Sequence, residues 1–151
     1  MLIRKARLED LERIVDFNII MAKETEEKVL DRNIVREGVQ TVLSNKSKGF
    51  YLLAEDNEDP RIVVGQLMVT YEWSDWRNKN FWWIQSVYVD KKYRNKKVFS
   101  KLFTAAAKMA LSTGSVDALR LYVEKNNNSA KQVYESLGMT KTSYEIYEKS
   151  L

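Results

Sequence analysis

Hydrophobic residues change their period several times along the chain, and each change marks the edge of a predicted element. The short run LIRKA predicts a first strand, and from Leu8 the apolar residues Leu11, Ile14 and Val15 recur at helical spacing. A second helix is predicted from about Ile34 to Leu43. The run FYLLAE then predicts a strand, and DNEDP, which holds the only proline, predicts a turn.

The centre of the chain carries two long β-type runs, RIVVGQLMVTYEW and FWWIQSVYV, joined by the polar loop Ser74–Asn80. This arrangement is typical of an antiparallel hairpin. Trp82 and Trp83 must point to opposite faces of the second strand, because side chains alternate along a strand. We expect one of them to pack in the core and the other to line a substrate cleft or a dimer surface.

The C-terminal part repeats both patterns. An apolar stripe at i, i+4 spacing from Val98 to Ala110 predicts a helix that ends near Gly114. The run ALRLYVE predicts a strand, residues 128–137 a helix stopped by Gly138, and the tail SYEIYEK an edge strand. The resulting order, β-α-α-β-β-β-α-β-α-β, predicts an α/β fold with a mixed sheet (α+β type) rather than a doubly wound one. Residues 1–151 fit a single domain.

Composition limits the chemistry. The chain is 44% hydrophobic and 11% aromatic, which is enough for a core, and it contains no cysteine and no histidine. Thiolate nucleophiles and disulfides are therefore excluded, and the commonest metal ligands are missing, so we expect no metal. Acid–base work falls to Glu, Asp, Lys or Tyr.

Charge and hydropathy limit the classes of partner that we expect. No apolar run approaches the ~20 residues that span a bilayer, and the start MLIRKARLEDLERI lacks the apolar core of a signal peptide. We expect a soluble, cytoplasmic protein with no membrane partner. The net charge of +4 favours an anionic small molecule, and 21 acidic residues make it too mixed to predict nucleic acid.

The stretch Lys91–Lys97 carries five basic residues in seven, between a predicted strand and a predicted helix. Such a run is often only a solvated surface. Its position favours anion binding, because helix N-termini present free N–H groups and a positive dipole end.

Two motifs resemble the GNAT N-acetyltransferase superfamily, and the likeness extends over essentially the whole chain. VYVDKKYRNKKVFSKLF is similar to the acyl-CoA pyrophosphate loop, although Lys97 and Phe99 replace its two glycines. NNSAKQVYESLGM is similar to the second motif, with Met139 in place of a phenylalanine. A narrower resemblance links IVVGQLMVTYEWSDWRNKNFWWIQSVYV and the acidic stretch MAKETEEKVL to the diamine (spermidine/spermine-type) acetyltransferases.

The resemblance implies a single GNAT-like domain whose central, mostly antiparallel sheet is splayed at the acyl-CoA site, with helices on both faces. It also implies acetyl-CoA as co-substrate and direct transfer to a primary amine, a small amine or polyamine. The implied donor-binding residues are Val87, Tyr88, Val89, Arg94, Asn95, Lys96, Lys97, Val98, Phe99, Ser100, Asn127, Ala130 and Tyr134. For Asn127, a role as the N-cap of the last helix is the alternative. Without its glycines the loop requires a right-handed backbone at Lys97 and Phe99.

For catalysis, the resemblance places Tyr134 beside the CoA sulfur, where a phenol can protonate the leaving thiolate. A half-buried packing role beside Val133 and Leu137 is the alternative. The general base stays open: Gln85 stands where diamine-type enzymes carry a glutamate, and an amide cannot take the proton. The remaining candidates are Glu72, a water chain, and the acids Glu24, Glu26 and Glu27.

A second function class also stays open, namely a GNAT-fold module that has weakened catalysis and binds CoA or a protein. The missing glycines and the missing glutamate favour it. The aromatic hairpin and the predicted edge strand at Tyr144–Tyr147 predict a homodimer, the commonest symmetric assembly.

Overall fold

The computed structural model describes residues 1–151. Four helices and five strands follow the predicted order up to the tail. The strands are β1 Ile3–Lys5, β2 Phe50–Glu55, β3 Val63–Ser74, β4 Lys79–Val89 and β5 Val116–Leu121. The α-helices are α1 Leu11–Glu26, α2 Arg32–Ser44, α3 Val98–Thr113 and α4 Asn128–Ser136, with 3-10 turns at Leu8–Asp10 and Lys91–Tyr93.

The strands form one mixed sheet in the order β1-β2-β3-β4-β5. The first four pair antiparallel, and β4 pairs with β5 in parallel, which confirms the mixed α/β sheet. Alternate residues of β2 enter two separate cores: Leu52 packs with α3, and Leu53 packs with α1 and α2. Because alternate side chains point to opposite faces, helices cover both faces of the sheet.

The central hairpin forms as predicted, with a tighter turn. β3 and β4 are antiparallel and stay paired out to Ser74 and Lys79. Trp82 is buried in the α3-side core, against Phe50 and Tyr71. Trp83 lies on the other face and stacks on Tyr122 with ring centroids 4.5 Å apart. Trp82 is therefore the core tryptophan of the pair.

A β-bulge interrupts β4. Ser86 and Val87 lie opposite the single residue Leu67, because the register shifts between Gln66 and Met68, and Ser86 has a positive φ of 47°. The buried Gln66 side chain stabilises the bulge through a hydrogen bond. Its Nε2 donates to the Ser86 carbonyl at 3.2 Å and to Asn18 Oδ1 at 2.7 Å. A bulge bends its strand and increases the local twist.

Beyond the bulge, β4 parts from β5. The parallel pairing ends at Ile84↔Leu121, whereas β4 continues to Val89. Residues 85–89 therefore keep β3 on one side and have no strand on the other. The sheet opens at this point, so the predicted splay is present.

The predicted edge strand SYEIYEK is wrong. Residues 141–151 lie in no strand, and their backbone makes no hydrogen bond to another backbone group. Tyr144, Ile146 and Tyr147 are largely exposed. Alternating apolar and polar residues indicate only that the side chains suit a pleated surface. A strand also needs a neighbouring strand, and none pairs with this tail. No helix in the structure has both the length and the apolarity to cross a membrane.

Candidate active site

The first component of the site is the free edge of β4. Val87 and Val89 pack their side chains, partly buried, against the α3-side core. Their backbone lies in the segment that has no β5 partner. Each of these valines can therefore pack its side chain in the core while its backbone N–H and C=O groups stay available to a ligand, because side chains project from the face of a sheet and backbone groups from its edge.

The second component is the connection from β4 to α3. The Asp90 carboxylate accepts a hydrogen bond from Lys92 N at 3.1 Å and starts a 3-10 turn. Arg94 then folds back, and its Nε donates to the Val89 carbonyl at 3.0 Å. Val98, Phe99 and Ser100 begin α3, and their N–H groups make no backbone hydrogen bond, which leaves donors at the helix N-terminus.

The expected right-handed backbone at Lys97 is wrong. Lys97 has φ 59° and ψ 25°, in the left-handed region, and so does Asn95 at φ 63°. The chain therefore keeps the conformation that a glycine would adopt, at a cost of roughly 1–2 kcal/mol for a residue with a Cβ. At Phe99 the expectation is correct, since this residue lies in the first turn of α3.

Phe99 connects the loop to α4. Its ring lies 5.9 Å from that of Phe103 and 5.6 Å from that of Tyr134, measured between centroids. The residue that replaces the second glycine thus turns inward and supports the candidate acid. Burial raises the pKa of the Tyr134 phenol above its ordinary value. The phenol is consequently protonated at neutral pH and can donate a proton.

The N-terminus of α4 is capped by Asn127, whose side-chain oxygen accepts a hydrogen bond from Ala130 N at 3.0 Å. The capping role considered for this residue is correct, and the contact satisfies one free donor of the helix. No residue of α4 is fully buried, and Val133 is exposed. The main aromatic contact of Tyr134 is therefore Phe99.

Most side chains considered for the general base already make hydrogen bonds or ion pairs within the protein. Arg120 Nη1 donates to Glu72 at 3.0 Å, and the same guanidinium lies 3.5 Å from the centroid of the Phe81 ring. Gln85 donates to the Thr70 hydroxyl. No hydrogen bond joins the two predicted catalytic side chains, Glu72 and Tyr134.

The three acids at the end of α1 differ. Glu26 pairs with Lys28 at 2.5 Å, and Glu27 is the left-handed C-cap of the helix. Glu24 instead reaches the basic loop, where it contacts Arg94 Nη2 at 2.6 Å and Lys91 Nζ at 3.2 Å. The hydrogen bond from Arg94 holds the pKa of Glu24 below its usual range, which makes this carboxylate a weaker base.

Sequence reasoning missed the bulge and the Glu24–Arg94 contact. A signal for the bulge existed: Gln66 is a polar residue within an apolar strand, and a buried amide requires hydrogen-bond partners. No local signal points to Glu24, which lies 70 positions from Arg94. No group of three or more His, Cys, Asp or Glu side chains is arranged to hold a metal ion.

Comparisons with known proteins bear on this geometry. A possible acetyltransferase from Clostridium difficile 630 is 47% identical, with a TM-score of 0.91, over 99% of this chain and 97% of its own. AAC(6')-Iy, in complex with the bisubstrate analog CoA-S-monomethyl-acetylneamine, shares 14% identity and a TM-score of 0.77 over 99% of this chain and 97% of its own. At 14% identity, this similarity shows only that the two proteins share a fold.

Thialysine N-epsilon-acetyltransferase from Bos taurus is 33% identical over 76 residues. The match covers 50% of this chain and 44% of that relative, so it spans less than half of the relative's length. The profile described as the Acetyltransferase (GNAT) family matches residues 8–139, which include the open edge of β4, the basic loop and α4. This chain belongs to the GNAT family of acetyltransferases.

Proposed function

We propose that the protein transfers an acetyl group from acetyl-CoA to a primary amine by direct transfer, with a small amine or polyamine as acceptor. The observation that carries the proposal is the unpaired edge of β4, which ends at Val89 beside a basic loop and the free N-terminus of α3. An extended ligand arm can pair with such an edge as an added strand.

Each part of the site has a distinct task in this proposal. The backbone of Val87 and Val89 holds the pantetheine arm. The N–H groups at the start of α3, with Lys97 beside them, hold the pyrophosphate, because a helix N-terminus favours anions. Lys92, Lys96 and Lys97 have no carboxylate within ion-pair distance, so their charges are available.

The chemical step needs three proton transfers. The amine nitrogen forms a bond to the acetyl carbon while the carbon–sulfur bond breaks, and Tyr134 donates its proton to the departing thiolate. The attacking nitrogen gives up one further proton as the amide forms, and this proton, carried by water, restores the Tyr134 phenol. The acceptor ammonium must first lose a proton. Arg120 occupies Oε2 of Glu72, so this carboxylate would accept the proton at Oε1, whereas a water that passes the proton to bulk solvent requires no carboxylate.

Calorimetric titration with acetyl-CoA, followed by a thiol-release assay over a panel of primary amines, tests the proposal. We expect micromolar donor binding and turnover with at least one diamine or polyamine. Donor binding without turnover on any amine would support the alternative, a CoA-binding module with weakened catalysis. The engaged side chains of Gln85 and Glu72 favour that alternative. Absence of donor binding would refute both.

We also propose a homodimer. β5 is the last strand of the sheet, and the tail beyond α4 exposes Tyr144, Ile146 and Tyr147. An open strand edge and exposed apolar side chains are each typical of association surfaces. Sedimentation velocity at high micromolar concentration should show a dimer, and a monomer under those conditions would contradict the proposal.

A further inference from the structure

Glu24 connects the end of α1 to the basic loop, Lys91–Lys97. Its two carboxylate oxygens are shared among three partners: Arg94 Nη2 at 2.6 Å, Lys91 Nζ at 3.2 Å and the Tyr88 hydroxyl, which donates at 3.3 Å. Two of the five cations of the stretch Lys91–Lys97 are therefore neutralised by one acid from another element.

The position of Glu24 is unfavourable for α1 itself. The residue lies in the last turn of the helix, where the macrodipole disfavours a negative charge. Glu26 is in the same turn. The helix gains nothing electrostatically from a second acid at this end, so the cations of the loop are what stabilises the Glu24 carboxylate. The Glu24 side chain is also only 21% exposed, compared with 58% for Glu26.

The partners of Glu24 are the same groups that a polyphosphate would use. A carboxylate and a phosphate both bind arginine through paired N–H donors, and a guanidinium turned fully toward one has fewer donors left for the other. Arg94 already uses Nε on the Val89 carbonyl and Nη2 on Glu24, which leaves only Nη1 without a partner. A pyrophosphate that binds Arg94 through both Nη atoms therefore competes with the Glu24 contact.

We propose that Glu24 is an exchangeable counter-charge of the donor site: it occupies Arg94 and Lys91 in the free protein and gives them up to the phosphates of the donor. Glu24 then sets the donor affinity by opposing it, as a positioning residue for the loop. The inference rests on the proposed use of acetyl-CoA. It also means that donor binding leaves one unpaired carboxylate at the end of α1.

Acetyl-CoA affinity of Glu24→Gln, measured by calorimetry at low salt, tests this exchange. The amide keeps the size of the side chain and removes its charge. We expect binding about two- to fivefold tighter than in the unchanged protein, the range that a partly exposed ion pair spans. The gain should shrink as salt is added, because salt screens the ion pair. Unchanged or weaker binding would overturn the proposal, and weaker binding would mean that Glu24 orients Arg94 toward the phosphates.

Glu26→Gln is the matched control. It removes the same charge from the same helix end, but Glu26 contacts Lys28 and not the loop. Any gain in that variant measures the general effect of one fewer negative charge. In a background that carries both Arg94→Gln and Lys91→Gln, the gain from Glu24→Gln should fall to the control level, because both competing contacts have already been removed. A gain that persists above that level would refute the exchange at Arg94 and Lys91.

The outcomes separate the two levels of inference. If the unchanged protein does not bind acetyl-CoA, the proposed function fails. If it binds and Glu24→Gln does not bind more tightly, only the exchange fails. A second readout is the side-chain carbon signal of Glu24 in NMR titrations. The pKa of this carboxyl, held low by Arg94, should rise toward its ordinary value when the donor is bound.

Discussion

The two helices that border the site are held very differently. α3 places Leu102 and Ala106 in the core with no exposed surface. Its first turn carries the free backbone N–H groups that follow the basic loop. α4 has no fully buried residue, and the ring of Tyr134 is supported mainly by Phe99. The candidate binding elements are anchored in the core, whereas the candidate acid is on a helix that the core hardly holds.

This contrast predicts a separation of effects. Changes in α3 should alter stability or donor binding, because the helix is part of the core and of the loop. Changes in α4 should alter turnover and leave stability nearly intact, because little surface is buried there.

The largest expected effect is on turnover. Tyr134→Phe should lower kcat by about 10²–10⁴-fold, the usual loss for a positioned general acid, with donor affinity and melting temperature nearly unchanged. Because burial raises the pKa of Tyr134, the phenol should stay protonated through pH 9, so kcat should not fall between pH 7 and 9 from titration of this group.

The matched control for that prediction is Tyr71→Phe, which removes a half-buried hydroxyl from a ring that contacts Phe50 and Trp82 and not Phe99. Its turnover should equal that of the unchanged protein. Full turnover in Tyr134→Phe would exclude the acid role and require a water as the proton donor. A loss of about 1–3 kcal/mol in stability without a kinetic effect would show that the hydroxyl has a structural role.

The next effect is on stability. Leu102→Ala in α3 should cost about 2–5 kcal/mol, because it leaves a cavity in a fully buried site. Leu137→Ala, at the end of α4, should cost about 1 kcal/mol, since the side chain is only partly buried. Urea denaturation of both variants measures the difference. Equal costs would contradict the contrast between the two helices.

A smaller effect is expected on donor binding. Lys97→Glu puts a negative charge at the N-terminus of α3 and should weaken acetyl-CoA about tenfold, more at low salt than at high salt. Lys108→Glu makes the same charge change more than two turns along the helix and should leave affinity within about twofold. Equal affinities of Lys97→Glu and the unchanged protein would refute the assignment of the loop.

The smallest effect concerns the left-handed backbone. Lys97→Gly should relieve the cost of a Cβ at φ 59° but increase the freedom of the unfolded chain, for a net gain of about 0.5 kcal/mol. The measurement is the midpoint of urea unfolding. A loss of about 1 kcal/mol would mean that the lysine side chain contributes packing that outweighs its backbone strain.

Prediction from sequence succeeded where local pattern was sufficient. The helical stripe that includes Leu102, the hairpin around residues 74–80 and the cap at Asn127 all depend on residues close together in the chain. It failed for the tail at 144–147, where the alternation is real but no partner strand is present. It also failed at Lys97, because a positive φ is a property of the loop closure and not of lysine.

The sequence by itself determined the order of the elements, the exclusion of thiol chemistry and the family to which the motifs point, since composition and periodicity carry that information locally. Only the tertiary structure decided how the site is assembled. The bulge at Ser86 depends on Gln66 beneath it, Tyr134 depends on Phe99, and Arg94 depends on Glu24, each pair distant in sequence. Such contacts form only when packing brings separate elements together, so a local pattern can mark an unusual residue such as Gln66 but cannot identify its partner.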